Sequence, residues 1–390
     1  MPSFRPADAG RAIYYRGLSG DVPAFPMTFE GWETAARERL TPEAFAYIAG
    51  GAGGEHTMRA NRAAFDAYRI VPRMLRGSLA RDWSTTVIGR RVPSPLFAAP
   101  LGVLGLVHPD AELAVARATA SLGVINVVST AASHTMEEIA QAAPGGARWF
   151  QLYWPNDLEL AESLVRRAEA AGYGAIVVTL DTWTLGWRPR DLAHAHLPFL
   201  RGSGIANYLT DATFRARLRR PPEESHEALA EAVVRWAGIF GHPALSWDDV
   251  ARVRDWTSLP VVVKGILHPD DARAALAAGV DAIVVSNHGG RQVDRATAAL
   301  DALAIIAPLV RERAGVLFDS GVRCGADAVV AIALGAHAVL IGRPYAYGLA
   351  LGGEEGVAHV FRCLLADFDA SLVLAGAGSV AEADRSLLGG

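Results

Sequence analysis

From about residue 95 the chain alternates two hydrophobic patterns. Short, almost wholly apolar runs recur at 96–99, 124–128, 149–153, 175–180, 261–263, 282–285, 316–318 and 338–341. They are too short for helices and lack the polar alternation of a strand with one wet face, so each reads as a strand buried on both sides. Between and after them, residues 110–122, 136–142, 157–171, 247–256, 269–278, 298–310, 326–334 and 357–374 carry apolar positions at helical spacing. Eight such units predict an α/β fold, a (β/α)8 TIM barrel. A doubly wound open sheet is the alternative, and the polar residues that follow nearly every run favour closure.

Two stretches fall outside this rhythm. Residues 1–94 predict an N-terminal helical extension packed on a barrel of residues 95–390. One helical stretch covers 29–40. A second starts at Thr41-Pro42, with Thr41 as N-cap, and ends in the glycine-rich run Gly50-Gly51-Ala52-Gly53-Gly54. A third covers 59–68, and a hairpin is expected about Gly89-Arg90. The other irregularity follows the fourth strand, where about 80 residues separate Asp181 from Pro260. The excess, about 191–242, reads as a partly mobile lid over the C-terminal mouth of the barrel or as a mere insertion.

Composition narrows the function. Half of the 390 residues are apolar and the net charge is −4, which points away from nucleic acid or a membrane surface as partner. The opening residues lack the apolar core of a signal peptide, and no run has the length of a spanning helix, so a cytoplasmic protein is expected. Two cysteines, Cys324 and Cys363, make no disulfide framework, and no metal site is assigned. Of the 37 basic residues only Lys264 is a lysine, and it ends the fifth run. A site that needs a compact point charge rejects the planar fork of arginine, although chance survival explains one lysine too.

In a barrel the residues that follow the strands share one mouth. Here they are Pro100, Leu101 and Gly102; Ser129 and Ala131; Gln151 and Tyr153; Thr179, Asp181 and, further on, Arg188; Lys264; Ser286, His288 and Arg291; Asp319, Gly321 and Arg323; Gly342 and Arg343. The run Ser286-Asn287-His288-Gly289-Gly290-Arg291-Gln292 puts a base and a cation on one tight loop; read alone, it is equally an ordinary turn. A histidine, a lysine and several arginines at one mouth predict an anionic ligand. The glycine-containing turns after the last two strands are where barrels commonly hold phosphate.

These stretches resemble the FMN-dependent 2-hydroxy-acid oxidase and dehydrogenase family. The resemblance runs from about Phe29 to the C-terminus and is most specific in Ser286–Gln292. Within that family the likeness is greatest to lactate 2-monooxygenase. It rests on Gly53-Gly54-Glu55-His56-Thr57, on residues 180–191, 198–202 and 240–242, and on Gly342-Arg343-Pro344-Tyr345-Ala346.

The resemblance implies FMN as cofactor, a small 2-hydroxy acid and O2 as partners, and a homo-tetramer or homo-octamer. It implies His288 as base with Asp181 behind it, and Arg188, Arg291 and Tyr47 on the substrate carboxylate. Tyr153 falls on the substrate hydroxyl and Lys264 beside the flavin. Flavin contacts are implied for Ala99, Pro100, Leu101, Gly102, Ser129, Gln151, Thr179, Ser286 and Asp319, with Gly321, Arg323, Gly342 and Arg343 at the phosphate. Ala131 stands where relatives carry Trp or Leu, which implies a roomier substituent pocket.

The expected reaction is (S)-2-hydroxy-acid oxidation of the lactate 2-monooxygenase type, giving acetate, CO2 and water from lactate and O2. The alternative is an oxidase or dehydrogenase that releases the 2-oxo acid. A third reading, a phosphate-binding barrel without redox chemistry, is opposed by the intact His288, Lys264, Arg188 and Arg291 set.

Overall fold

The computed structural model describes residues 4–77 and 81–389, so the first three residues of the stretch read for a leader lie outside the described residues. The eight apolar runs form eight parallel strands: β1 (Leu96–Ala98), β2 (Asn126–Ser129), β3 (Arg148–Tyr153), β4 (Ile176–Thr179), β5 (Val261–Ile266), β6 (Ala282–Val285), β7 (Gly315–Phe318) and β8 (Ala338–Ile341). The last strand pairs with the first, Val339 opposite Leu96 and Ile341 opposite Ala98. The sheet is therefore a closed barrel, and the open-sheet alternative falls.

Alternate residues of each strand face opposite ways. Phe97, Val127, Trp149, Val177, Val262, Val284, Leu317 and Leu340 form one buried cluster, the barrel interior. The expected hairpin (Thr85–Val87 with Arg90–Val92) adds Val87 and Val92 to that cluster. The other parity, including Ala98, Phe150, Val178, Val263, Ile283 and Val339, packs with the helices. Burial on both faces is why the strands show no polar alternation.

The extension is more helical than expected. Helices Phe29–Arg39 and Pro42–Ala49 are present, the latter capped by Thr41, whose hydroxyl accepts the Ala44 N–H. A helix at Pro6–Gly17 was not anticipated; none of its residues is fully buried, and only Pro6, Ala9 and Ile13 are partly covered, a narrow apolar stripe. The last helix also begins earlier than expected. It spans Arg343–Leu374 with a kink at Gly352 and Gly353, so the predicted stretch is only its second half.

The insertion after β4 is a packed helical layer. It contains helices Pro189–Ala193, Ala206–Leu209, Ala212–Arg215 and His226–Ile239. Trp236 stacks on Phe199 with ring centroids 5.0 Å apart and packs against Phe240 at 5.1 Å. Asn207 accepts from the Met136 N–H and donates to the Thr130 carbonyl, fastening the layer to the barrel. Cys324 and Cys363 are both free. No helix among the described residues is long and apolar enough to cross a membrane.

One buried pair ties the extension to the barrel. The side chains of Asn61, on helix His56–Ala63, and Asn287, after β6, exchange hydrogen bonds of 2.8 and 2.7 Å. They are 1% and 5% exposed, so neither has water to fall back on. Removing the Asn61 amide takes one bond from each end of the Asn287 amide, which keeps Thr297 and Gly290, and leaves the buried Ala299 N–H without its acceptor. Asn61→Ala is expected to lower unfolding free energy by about 1–3 kcal/mol, read by denaturant titration; a loss below about 0.5 kcal/mol would contradict this account.

Candidate active site

Two residues beyond the last apolar layer, the barrel interior changes character. The same inward parity continues to Ala99, Ser129, Gln151 and Thr179 on β1 to β4, and to Lys264, Ser286, Asp319 and Gly342 on β5 to β8. Six of these eight are polar side chains, none more than 6% exposed. Burying that many polar groups is costly unless each finds a partner. Ser129 donates to Gln151 Oε1 at 2.9 Å, and Lys264 Nζ donates to Ser286 Oγ at 3.0 Å. Gln151 Nε2 and Thr179 Oγ1 have no partner among the described residues.

Above this layer stands the loop after β6. His288, Gly289 and Gly290 are consecutive left-handed residues, with φ of 59°, 65° and 75°. A β-carbon on Gly290 would lie 2.7 Å from the Met58 nitrogen, so glycine is required there for space as well as for φ. His288 adopts the same backbone with a full side chain, at a cost of order 1 kcal/mol. The loop is held by two hydroxyls: Ser286 Oγ accepts the His288 N–H and Ser320 Oγ the Gly289 N–H, both at 3.0 Å.

That turn aims the imidazole at Asp181. Nδ1 lies 2.8 Å from Asp181 Oδ1 and 3.1 Å from Thr182 Oγ1, which assigns the ring proton to Nδ1. Nε2 then carries the lone pair and faces the Tyr153 hydroxyl at 3.5 Å. Burial, assisted by Lys264, lowers the His288 pKa below its ordinary value although Asp181 opposes it. Burial alone would raise the Asp181 carboxyl, but His288 and Lys264 hold it well below the usual range. Burial works against the Lys264 charge, yet Asp181 and Asp319, at 3.8 and 3.5 Å, keep its pKa raised. Burial pushes the Tyr153 phenol up to about 12, so it stays a donor.

Three arginines, Arg188, Arg291 and Arg343, complete the mouth, and Arg323 lies behind it. Arg188, Arg291, Arg323 and Arg343 make no ion pair among the described residues, whereas most other arginines do. Arg188 is 7% exposed and donates to the Arg291 carbonyl and to Gln292 Oε1. Arg291 donates to the carbonyls of Tyr47 and Gly50, and its guanidinium lies 5.1 Å from the Tyr47 ring centroid. Burial and neighbouring Arg188 press its pKa down to about 9, which leaves it charged at neutral pH. Arg323 stacks on Phe29, 3.9 Å from the ring centroid. Arg343 turns towards the β6 loop, donating to Gly289, Ile48 and Gly50 carbonyls. It therefore stands between the expected phosphate and carboxylate positions.

A cavity of about 990 Å³, its open mouth included, joins these groups. Of the residues expected at the site, Tyr47, Tyr153, Arg188, Lys264, His288 and Arg291 line it. So do Ala99, Pro100, Leu101, Gly102 and Ala131 on one wall and Asp319, Gly342 and Arg343 on another. Asp181, Ser129, Gln151, Thr179, Ser286, Gly321 and Arg323 are not in the wall, and Asp181 acts behind His288. Leu185, Phe199 and Phe240, from the β4 loop and the insertion, were not anticipated as lining. Nor was Thr182, which touches both members of the His–Asp pair. Its adjacency to Asp181 was the only signal. A β-carbon on Gly102 would fall 2.9 Å from the Ala131 β-carbon, so the two small residues depend on each other.

The residues fit a flavin mononucleotide. The unpartnered Gln151 amide and Thr179 hydroxyl suit the carbonyl and N–H edge of the ring system, with Lys264 beside them. Gly342, with nothing nearer than 4.0 Å to a β-carbon built there, leaves room beside Ala99 and Leu101.

Comparison with known proteins agrees. The profile of FMN-dependent dehydrogenases matches residues 36–389. The FMN-dependent alpha-hydroxy acid dehydrogenase qulF of Penicillium citrinum is 44% identical, the match covering 96% of this chain and 94% of that one. An L-lactate oxidase of Lysinibacillus sphaericus is 44% identical, covering 94% of each. A crystal structure of mandelate oxidase superposes with a TM-score of 0.82 at 40% identity, covering 93% of this chain and 98% of that one. The chain belongs to the FMN-dependent dehydrogenase family and is an FMN-dependent oxidoreductase of 2-hydroxy acids.

Proposed function

We propose that the protein oxidises an (S)-2-hydroxy acid with O2 and retains the 2-oxo acid for oxidative decarboxylation, the lactate 2-monooxygenase outcome. The observation that carries this reading is a cationic pocket under a packed lid. Among the described residues Arg188 and Arg291 form no ion pair with a carboxylate, and Phe199 and Phe240 of the insertion complete the wall.

Arg188 and Arg291 hold the substrate carboxylate, a planar anion matched to their forks, and Tyr47 adds a donor. Tyr153 donates to the substrate hydroxyl oxygen. His288 Nε2, neutral at working pH, takes the hydroxyl proton, and Asp181 stabilises the imidazolium that results. FMN, when bound, would supply the two-electron acceptor for the hydride equivalent that leaves Cα as His288 takes the hydroxyl proton. Lys264 brings positive charge to the ring edge where Gln151 and Thr179 stand unpartnered.

A second reading is release of the oxo acid with hydrogen peroxide, favoured by relatives named as L-lactate oxidase and 4-hydroxymandelate oxidase. The two differ only in which leaves first. Under air with lactate, the monooxygenase reading expects acetate and CO2 in step with O2 consumed; stoichiometric pyruvate and peroxide would establish the oxidase instead.

The lowered His288 pKa fixes the pH response. A base must be neutral to act, so kcat/KM should fall as pH drops through the folded value and hold above it. The acid limb is expected below pH 6.5, the ordinary histidine value; a midpoint at or above it would contradict the burial argument. The paired small residues Gly102 and Ala131 leave space for the substituent on Cα. Ala131→Leu should therefore lower kcat/KM for mandelate at least about tenfold more than for lactate. Equal losses would place the substituent elsewhere.

A further inference from the structure

The side chain of Gln292 spends all its hydrogen bonds on one segment. Its Nε2 donates to the carbonyls of Asp181 and Thr184 at 2.7 and 2.8 Å. Its Oε1 accepts from Arg188 Nη2 at 2.8 Å and from the Gly186 N–H at 3.3 Å. Those four partners span residues 181–188, the stretch that runs from the His288-bound carboxylate to the root of the lid. The fit is close on both sides. A β-carbon on Gly186 would lie 2.5 Å from the Arg291 carbonyl and 2.6 Å from that of Gln292. Arg188 is further fixed by its Nε–H on the Arg291 carbonyl, 3.1 Å away. The guanidinium, the lid root and the β6 loop thus meet at one amide.

We propose that Gln292 is a positioning residue that sets the Arg188 guanidinium for the substrate carboxylate and, by holding the lid root to the β6 loop, governs how long the oxo acid is retained. This rests on the reading of Arg188 as a carboxylate ligand. The chemistry requires an amide. Aspartate or glutamate cannot donate to two carbonyls, and a glutamate would also neutralise Arg188. Methionine keeps the length and loses every bond. No other uncharged side chain of this reach offers a donor pair and an acceptor together.

The test uses flavin-loaded Gln292→Met and Gln292→Glu enzymes, with oxalate as a non-reacting planar dianion. Both variants are expected to raise KM for lactate and the oxalate Kd at least about tenfold. The rate of flavin bleaching at saturating lactate should change less than about threefold, because Gln292 bonds the Asp181 backbone carbonyl and not the side-chain oxygen that meets His288. The peroxide share of the product should rise as the lid root loosens. In an Arg188→Met background, Gln292→Met should add little, since both act on one contact.

Unchanged KM and oxalate Kd would overturn the proposal. So would a bleaching rate that falls as far as KM rises, which would mean a structural or catalytic-pair effect. If the Gln292 variants do not retain flavin, Gly186→Ala opens the same joint from the other side. It must then raise KM and the oxalate Kd, and wild-type values there overturn the proposal. Arg188→Met separates the two ideas. If it leaves KM unchanged, Arg188 is no carboxylate ligand and both readings fall. If it raises KM and Gln292→Met does not, only the Gln292 proposal falls.

Discussion

Positive charge held without a directly paired carboxylate is the constraint around which this mouth is built. Guanidinium groups at the protein interior are normally paired, because desolvating a charge is costly. Here Arg188, Arg291, Arg323 and Arg343 are held mainly by backbone carbonyls and an aromatic face. Carbonyl oxygens satisfy N–H donors without cancelling the charge. The depressed Arg291 and Arg343 pKa values, about 9 and 10, both led by burial, express that unpaid debt. An anion relieves it, so carboxylate and phosphate are drawn to the positions the fold leaves cationic. This also explains the extension. Helix Pro42–Ala49 ends where Tyr47, Ile48 and Gly50 can offer carbonyls to Arg291 and Arg343. The N-terminal residues are thus part of the site, although the barrel is complete without them.

The opposite charges are placed one layer down. Asp181 and Asp319 flank Lys264, and Asp181 also receives His288. One ammonium between two carboxylates keeps each charge compensated inside the barrel. The strained left-handed backbone at His288 is the geometric counterpart of this arrangement. It turns the imidazole back over the barrel to meet Asp181 while Arg291, three residues on, remains at the cavity wall. Two consecutive glycines make the turn; the bonds from Ser286 and Ser320 hold it.

How much of this the sequence reveals follows from the range of the interactions involved. The barrel is legible because each strand is a local apolar run, and the top polar layer is legible because strand parity carries inward positions forward in steps of two. Lys264 stands at such a position and His288 two residues past one, whereas Arg188, Arg291 and Arg343 lie on the loops and helix that follow the strands. What period and composition do not show is which distant groups meet. Asn61 and Asn287 are 226 residues apart, and either amide alone is an ordinary surface residue. Gln292 reads as the tail of a loop until its four partners are seen. The direction of Arg343 is set by carbonyls from the extension, and the lining roles of Phe199 and Phe240 depend on how the insertion packs around Trp236. The helix at Pro6–Gly17 covers only Pro6, Ala9 and Ile13, and those in part, so its signature is narrow.

The solitary lysine can now be argued from its surroundings. Lys264 is 3% exposed in the inward top layer, and its ammonium has three neighbours: Ser286 Oγ, Asp319 and Asp181. Ser286 Oγ, at 3.0 Å, is the hydrogen-bond acceptor, and the two carboxylates, at 3.5 and 3.8 Å, are counter-charges. An arginine at this position would bring five donors in a planar fork into a buried layer that offers one hydroxyl and two carboxylates set around a compact charge. It would also extend the charge upward into the space that the unpartnered Gln151 and Thr179 groups border. Elsewhere in the chain a basic residue needs only reach or an outward face, and arginine serves. Here the requirement is a compact charge that neutralises two carboxylates and stops short of the ring it faces. That compactness, rather than basicity, is what a substitution of Lys264 would break.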